Sequence, residues 1–259
     1  MISVKHIFKS FDDKVVLKNI STVFHRGNTN LIIGRSGSGK TVLIKTLIGL
    51  MRPESGEILY GNRNLITMNK NELKALRREM GMLFQGSALF DSMTVLENVM
   101  FPLTMFTRDG KKDREKRAKF CLERVNLTDA DNLSTGELSG GMMKRVAIAR
   151  AIALNPDYLF CDEPNSGLDP KTSLLIDELI HDITKEYNIT TVINTHDMNS
   201  VMNIGEKIIF IYEGEKAWEG TKDEIMTSTN KKLNDFIFAS DLFKKVKEAE
   251  EILYNNEEG

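Results

Sequence analysis

The sequence predicts an α/β fold with an antiparallel β subdomain at its N-terminus and a helical subdomain inserted into the core. Three observations carry this prediction. Leu31-Ile32-Ile33, the glycine-rich stretch from Gly34 to Thr41 and the apolar run from Val42 to Ile48 read as strand, loop and helix. Short strand-like runs precede that unit. From about 87 to 153 the pattern turns helical and charged, and buried strand-like runs resume beyond it.

The loop Gly34-Arg35-Ser36-Gly37-Ser38-Gly39-Lys40-Thr41 is a P-loop in its confirming context, which assigns the core to the P-loop NTPase (RecA-like) type. Its glycines let successive backbone N–H groups turn inward around phosphate oxygens, and the helix opening at Lys40 adds the positive end of its dipole. Lys40 is expected to reach the β- and γ-phosphates and the Thr41 hydroxyl to ligate Mg²⁺. The expected ligand is a nucleoside triphosphate.

Composition narrows what such a site could serve. The 259 residues suffice for a substantial core with an appended subdomain. The 35 basic and 37 acidic residues give a net charge of -2, which removes the usual footprint of a nucleic-acid binder. No apolar run approaches the ~20 residues that span a bilayer, and Met1-Ile2-Ser3-Val4-Lys5-His6 has no signal-peptide core. Cys121 and Cys161 sit among apolar neighbours without metal-site spacing, as expected of buried, reduced thiols in a cytoplasmic protein.

In chain order, Ile2 to Phe11 reads as a strand ending in a turn at Asp12-Asp13, and Val15 to Leu17 and Ile20 to Phe24 read as two further short strands. Phe11 is either an ordinary strand aromatic or a ring that stacks on adenine. Pro53-Glu54-Ser55-Gly56 breaks the chain before an expected edge strand at Glu57 to Gly61, and Asn71 to Arg78 is a polar helix. Met80 to Phe84 is a short apolar strand that stops at Gln85. There a side chain could reach Mg²⁺ or an attacking water, since ligands of α/β folds gather beyond the carboxyl ends of strands.

The helical insertion contains a helix beginning at Thr94 and the charged run Lys111 to Arg117, a solvated face. It closes on Leu138-Ser139-Gly140-Gly141-Met142 before a helix, which reads either as a helix cap or as a second anion site. Tyr158 to Glu163 is a buried strand ending in two carboxylates, which strand alternation would send to opposite faces. Asp162 fits a Mg²⁺-anchoring residue and Glu163 one that polarises the attacking water. Ser166-Gly167-Leu168-Asp169-Pro170 turns into a helix. His196 follows the buried run Ile189 to Asn194 and is either a structural or surface histidine or, on the ligand edge of the sheet, one that hydrogen-bonds a γ-phosphate. A hairpin, Ile208 to Tyr212 with Lys216 to Glu219, closes the fold. The tail carries Leu233, Phe236, Ile237, Leu242, Phe243, Val246 and Leu253 at partly helical spacing, either packing on its own domain or docking on a neighbour, and its last five or so residues are expected to be disordered.

This ordered set resembles the ATPase subunit of ATP-binding cassette (ABC) transporters over about residues 1–225. Walker A is Gly34 to Thr41, the Q-loop is at Gln85, the signature runs from Leu138 to Met142, Walker B ends at Asp162-Glu163, the D-loop is Ser166 to Asp169, and the H-loop is at His196. The resemblance implies an ATP-binding domain over 1–228 and a C-terminal extension over 229–259. It also implies a head-to-tail dimer in which Lys40 of one copy faces Ser139, Gly140 and Gly141 of the other across ATP. Phe11 then stacks on adenine, Gln85 senses Mg²⁺ and the water, His196 contacts the γ-phosphate, and the segment after Gln85 meets the coupling helix of a membrane permease. Within the family the sequence looks most like the ATPase of Mce/Mla-type phospholipid transporters of Gram-negative bacteria. The shared residues are Met80-Gly81-Met82-Leu83-Phe84-Gln85, Ala88-Leu89-Phe90, Asn98-Val99 with Pro102-Leu103, and Met142, where most of the superfamily has glutamine. That likeness implies a permease, an Mce-type lipid-binding protein, a phospholipid substrate and a place at the cytoplasmic face of the bacterial inner membrane. The competing expectation is a soluble ABC ATPase of protein or cofactor assembly. The two cassettes usual in translation factors and the coiled-coil insertions of repair ATPases are both absent from the sequence.

Overall fold

A computed structural model describes residues 1–238. In chain order the elements are β1 (Ile2–Phe11), β2 (Lys14–Phe24), β3 (Thr29–Ile33), α1 (Lys40–Leu47), β4 (Ser55–Tyr60), β5 (Arg63–Asn64), α2 (Lys70–Arg78), β6 (Met80–Leu83), α3 (Val95–Phe106), α4 (Lys111–Arg124), α5 (Gly140–Ile152), β7 (Tyr158–Asp162), α6 (Pro170–Glu186), β8 (Thr190–Thr195), α7 (Met198–Ile204), β9 (Lys207–Tyr212), β10 (Glu215–Gly220), α8 (Lys222–Met226) and α9 (Lys231–Ile237).

Two sheets organise the molecule. One has the order β2-β1-β4-β5 and is antiparallel; the other has the order β10-β9-β3-β8-β7-β6 and is parallel except for the β9–β10 hairpin. The central strands of the parallel sheet are covered on both faces, so they read as continuous apolar runs. Leu31 and Ile33 of β3, with Leu159 and Cys161 of β7, face a core shared with α3, α4, α5 and α6. Ile32 and Phe160 face the other core, with α1 and the antiparallel sheet. Loops leaving the carboxyl ends of β3, β6, β7 and β8 therefore emerge along one edge, where the sheet offers a site.

Caps place the helices. Asn69 with Glu72 forms a capping box at α2, and Thr94 with Glu97 does so at α3. Ser139 caps α5, its hydroxyl accepting from the Met142 N–H, so the helix starts at Gly140 inside the glycine pair.

Two strand expectations change. The runs at 15–17 and 20–24 form one strand, β2, kept continuous by register shifts and a left-handed Asn19 with φ 58°. The expected edge strand, β4, lies between β1 and β5; the short β5, whose two residues carry no apolar pattern, takes the edge. In the tail, Leu233 and Ile237 of α9 are buried against the main core. The expectations for Leu242, Phe243, Val246, Leu253 and the final residues lie outside the described residues.

Candidate active site

The loop between β3 and α1 encloses one end of a cleft of about 580 Å³. Arg35, Ser36, Gly37, Gly39, Lys40 and Thr41 line it, and Gln85, Glu163 and His196 converge from the ends of β6, β7 and β8. At two positions the shape of the loop excludes a side chain. Gly39 has φ 108°, and a methyl there would come within 2.9 Å of the Val16 carbonyl. One on Gly34, at φ 150°, would run into the Ile211 carbonyl.

Lys40 is buried, and its Nζ donates to the Gly34 and Arg35 carbonyls at 2.8 and 3.1 Å. Burial pushes its pKa down, opposed by the negative charges of Glu163 and Asp162. The buried Ser38 Oγ has no hydrogen-bond partner. An orphaned hydroxyl, a buried ammonium and a backbone that tolerates no side chain at Gly34 and Gly39 form a cradle suited to phosphate oxygens.

Thr41, Asp162 and Asn194 form a second group. The Thr41 hydroxyl donates to Asp162 Oδ1 at 3.2 Å, and the Asn194 amide donates to Asp162 Oδ1 at 2.5 Å and to Thr41 Oγ1 at 3.1 Å. Among the described residues no cluster of three His, Cys, Asp or Glu side chains could hold a metal. One carboxylate, one hydroxyl and the nearby Gln85 amide instead fit Mg²⁺, which takes few protein oxygens and completes its shell with phosphate and water. Asn194 was not picked out from the sequence. Its signal was a lone carboxamide at the carboxyl end of an otherwise apolar and threonine-rich strand.

The two adjacent carboxylates separate for a different reason than strand alternation. The strand β7 stops at Asp162, and Glu163 takes a left-handed turn with φ 50°, its N–H donating to the Asn194 carbonyl at 2.9 Å. That conformation is costly for a residue with a Cβ and is held by its surroundings. The turn sends Asp162 inward to Thr41 and Glu163 across to His196, whose Nδ1 lies 2.9 and 2.8 Å from the two carboxylate oxygens. The His196 side chain is 66% exposed where Glu163 is 14%, so the imidazole shields the carboxylate from solvent. Gln85 is held twice: its Nε2 donates to Ser166 Oγ at 3.3 Å, and its backbone carbonyl accepts from the buried Lys144 ammonium of α5.

Other expected residues lie apart from this cleft. Phe11, 43% exposed at the end of β1, is not among the residues lining it; Val16 of the paired strand β2 is. Ser139, Gly140 and Gly141 line a separate cleft of about 410 Å³ with Gly167, Leu168, Asp169 and Thr172, and the two clefts share no lining residue. Beyond Gln85, Phe84, Ala88, Phe90, Phe101, Pro102 and Phe106 line an apolar groove of about 500 Å³ rimmed by Arg77 and Arg150, while Leu89 packs against the core.

A sequence model of the ABC transporter family matches residues 17–166. The chain is 37% identical to the methionine import ATP-binding protein MetN of Clostridioides difficile over 92% of its own length and 74% of the relative's. It is 35% identical to the intermembrane phospholipid transport system ATP-binding protein MlaF of Haemophilus influenzae over 92% of this chain and 90% of that one. A probable ribonucleotide transport ATP-binding protein, mkl, of Mycobacterium leprae is 34% identical over 91% and 68%. The dimeric structure of MJ0796, a bacterial ABC transporter cassette, superposes with a TM-score of 0.79 at 35% identity, covering 86% of this chain and 99% of that one. A post-hydrolysis state of the same cassette, bound to ADP and Pi, gives a TM-score of 0.78. The chain belongs to the ABC transporter ATPases: it is the ATP-binding subunit of such a transporter and an ATPase.

Proposed function

We propose that two copies of this chain close head to tail on ATP and drive a permease that moves phospholipid between bacterial membranes. The observation that carries the dimer is the separation of the two clefts. The phosphate cradle and the capped α5 N-terminus lie in different clefts of one chain, so a second copy is needed to bring Ser139, Gly140 and Gly141 to the triphosphate that Lys40 holds. The dimeric cassette among the solved relatives supports this reading.

In that closed state the P-loop amides and Lys40 bind the β- and γ-phosphates, and the adenine extends past the residues that line the cleft to stack on the exposed Phe11 ring. Thr41, Asp162 and Gln85 would hold Mg²⁺, which supplies positive charge at the phosphate oxygens. Glu163 accepts a proton from the attacking water, and His196 orients Glu163 and contacts the γ-phosphate. The groove around Phe90 seats the permease's coupling helix.

The MlaF relative, together with the resemblance read at Met80 to Gln85, Ala88 to Phe90, Asn98-Val99 with Pro102-Leu103 and Met142, supports phospholipid as substrate, with an Mce-type lipid-binding protein as the third component. Among the described residues no helix is long and apolar enough to cross a membrane. Peripheral attachment at the cytoplasmic face of the inner membrane follows from the reading. The test is to purify the tagged chain from detergent-solubilised membranes and identify what accompanies it by mass spectrometry. A permease, an Mce-type protein and bound phospholipid are expected. A permease without the last two would remove the lipid assignment, and recovery only from the soluble fraction would favour an assembly ATPase.

A further inference from the structure

A buried carboxylate that takes no part in the site just described lies behind it. Asp177, on α6, is 1% exposed. The Asn165 amide donates to its Oδ1 at 2.8 Å and to Ser200 Oγ at 3.0 Å, and the Ser200 hydroxyl also hydrogen-bonds the carboxylate. Asn165 is two residues beyond Glu163 and one before Ser166, which holds Gln85; Ser200 is in the first turn of α7, four residues beyond His196. One carboxylate thus joins the loop that follows Glu163 to the helix that follows His196.

We propose that Asp177 is a positioning residue for ATP hydrolysis: through Asn165 and Ser200 it holds the loop behind Glu163 in register with the helix behind His196. The proposal rests on the reading of Glu163 and His196 as the hydrolytic pair. The charge on Asp177 does not stabilise the fold. Burial pushes its carboxyl up to about 6, against the pull of the Ser200 and Asn165 donors and with added repulsion from Asp197 and Glu178. An unfolded aspartate titrates near ~3.9, so the folded state binds more protons between those values and stability falls as pH rises through them. At neutral pH the ionised group therefore costs stability. Other ionisable groups on the surrounding elements include Glu163 and His196, which pair with each other, the buried Cys161 thiol of β7, the buried Lys144 ammonium of α5 and His181 on α6 itself.

Asn165 shows how the network would respond to a proton. Its Nδ2 faces the carboxylate while its buried Oδ1 has no partner. A protonated Asp177 keeps one acceptor and gains an O–H donor, which the unpartnered Asn165 Oδ1 would accept if the amide turned over, at the expense of the Nδ2 bond to Ser200.

The experiment compares steady-state ATPase of the full chain with D177N and with the exchange N165D/D177N, from pH 5 to 8.5, alongside thermal melts at neutral pH. Wild-type turnover is expected to fall as pH drops through about 6. D177N is expected to lose that acid limb and to run about tenfold slower at pH 7.5, with KM for ATP within about twofold, since a small misplacement of catalytic groups acts on kcat. Its melting temperature should not decrease. The exchange restores a donor–acceptor pair of reversed polarity and should recover most of the lost kcat. Wild-type kcat and an unchanged acid limb in D177N would overturn the proposal, as would a kcat loss matched by a lower melting temperature and not recovered by the exchange. E163Q, assayed in parallel, tests the underlying reading separately: retained turnover there refutes the role of Glu163, whereas the Asp177 result is judged on its own acid limb.

Discussion

Glu163 and Asp162 are neighbours in sequence with different surroundings, and the difference sets what each substitution should do. Asp162 is buried against Thr41 and Asn194, while Glu163 turns outward to His196. Glu163→Gln keeps the shape but replaces a proton acceptor with an amide, so hydrolysis should fall by about 10²–10⁴-fold while ATP binding persists. A filter-binding assay beside a phosphate-release assay separates the two; loss of binding would make Glu163 structural. Lys40→Ala removes the buried cation from the cradle and should lower turnover by at least about a hundredfold, and a rate within a few-fold of wild type would refute the phosphate assignment. At this scale the sequence revealed residues whose spacing is fixed by a local loop, such as Gly34 to Thr41. It did not reveal Asn194, Asn165 or Ser200, which reach their partners only through the pairing of β7 with β8 and the packing of α6 on α7. The left-handed turn at Glu163 was also hidden, because an apolar strand followed by two acids carries no signal for where the strand stops.

Among the elements, those with strong periodicity or caps were legible and those defined by neighbours were not. The unit β3–loop–α1 and the capped α2 and α3 follow from local chemistry. The interior position of β4 depends on the two-residue β5 beside it, too short to show a pattern. The segment after Gln85 is an intermediate case. Ser87 and Ala88 are both left-handed, at φ 62° and 49°, and the Arg150 guanidinium holds their carbonyls at 2.7 Å each. That brace presents Phe90, 39% exposed and 4.6 Å from the Phe101 ring, at the apolar groove. Phe90→Glu puts a charge where an apolar partner surface would bury it. Copurification with a permease should be lost while ATPase activity of the isolated subunit stays within about twofold, because the groove shares only the Q-loop neighbourhood with the phosphate cleft. Undiminished recovery of the permease would place the docking surface elsewhere.

For the whole molecule, the two clefts are the decisive feature. A single chain offers ATP a P-loop, a Walker B carboxylate and a histidine, while its second helix N-terminus opens into a cleft with none of those lining residues. Closing two copies head to tail would satisfy both ends of the triphosphate twice, and hydrolysis would remove the γ-phosphate that joins the copies. The association should therefore depend on ATP and be transient in the wild type. Glu163→Gln, which retains ATP, should accumulate as a dimer in light scattering at micromolar protein with Mg²⁺ and ATP, and return to monomer when ADP replaces ATP. Ser139→Arg would fill the α5 N-terminus with bulk and positive charge against the helix dipole. In the Glu163→Gln background it should abolish the dimer while leaving nucleotide binding at the P-loop of each monomer intact. An ATP-loaded Glu163→Gln protein that remains monomeric, or a dimer indifferent to Ser139→Arg, would mean that the capped helix is structural and that the chain hydrolyses ATP without its partner's signature.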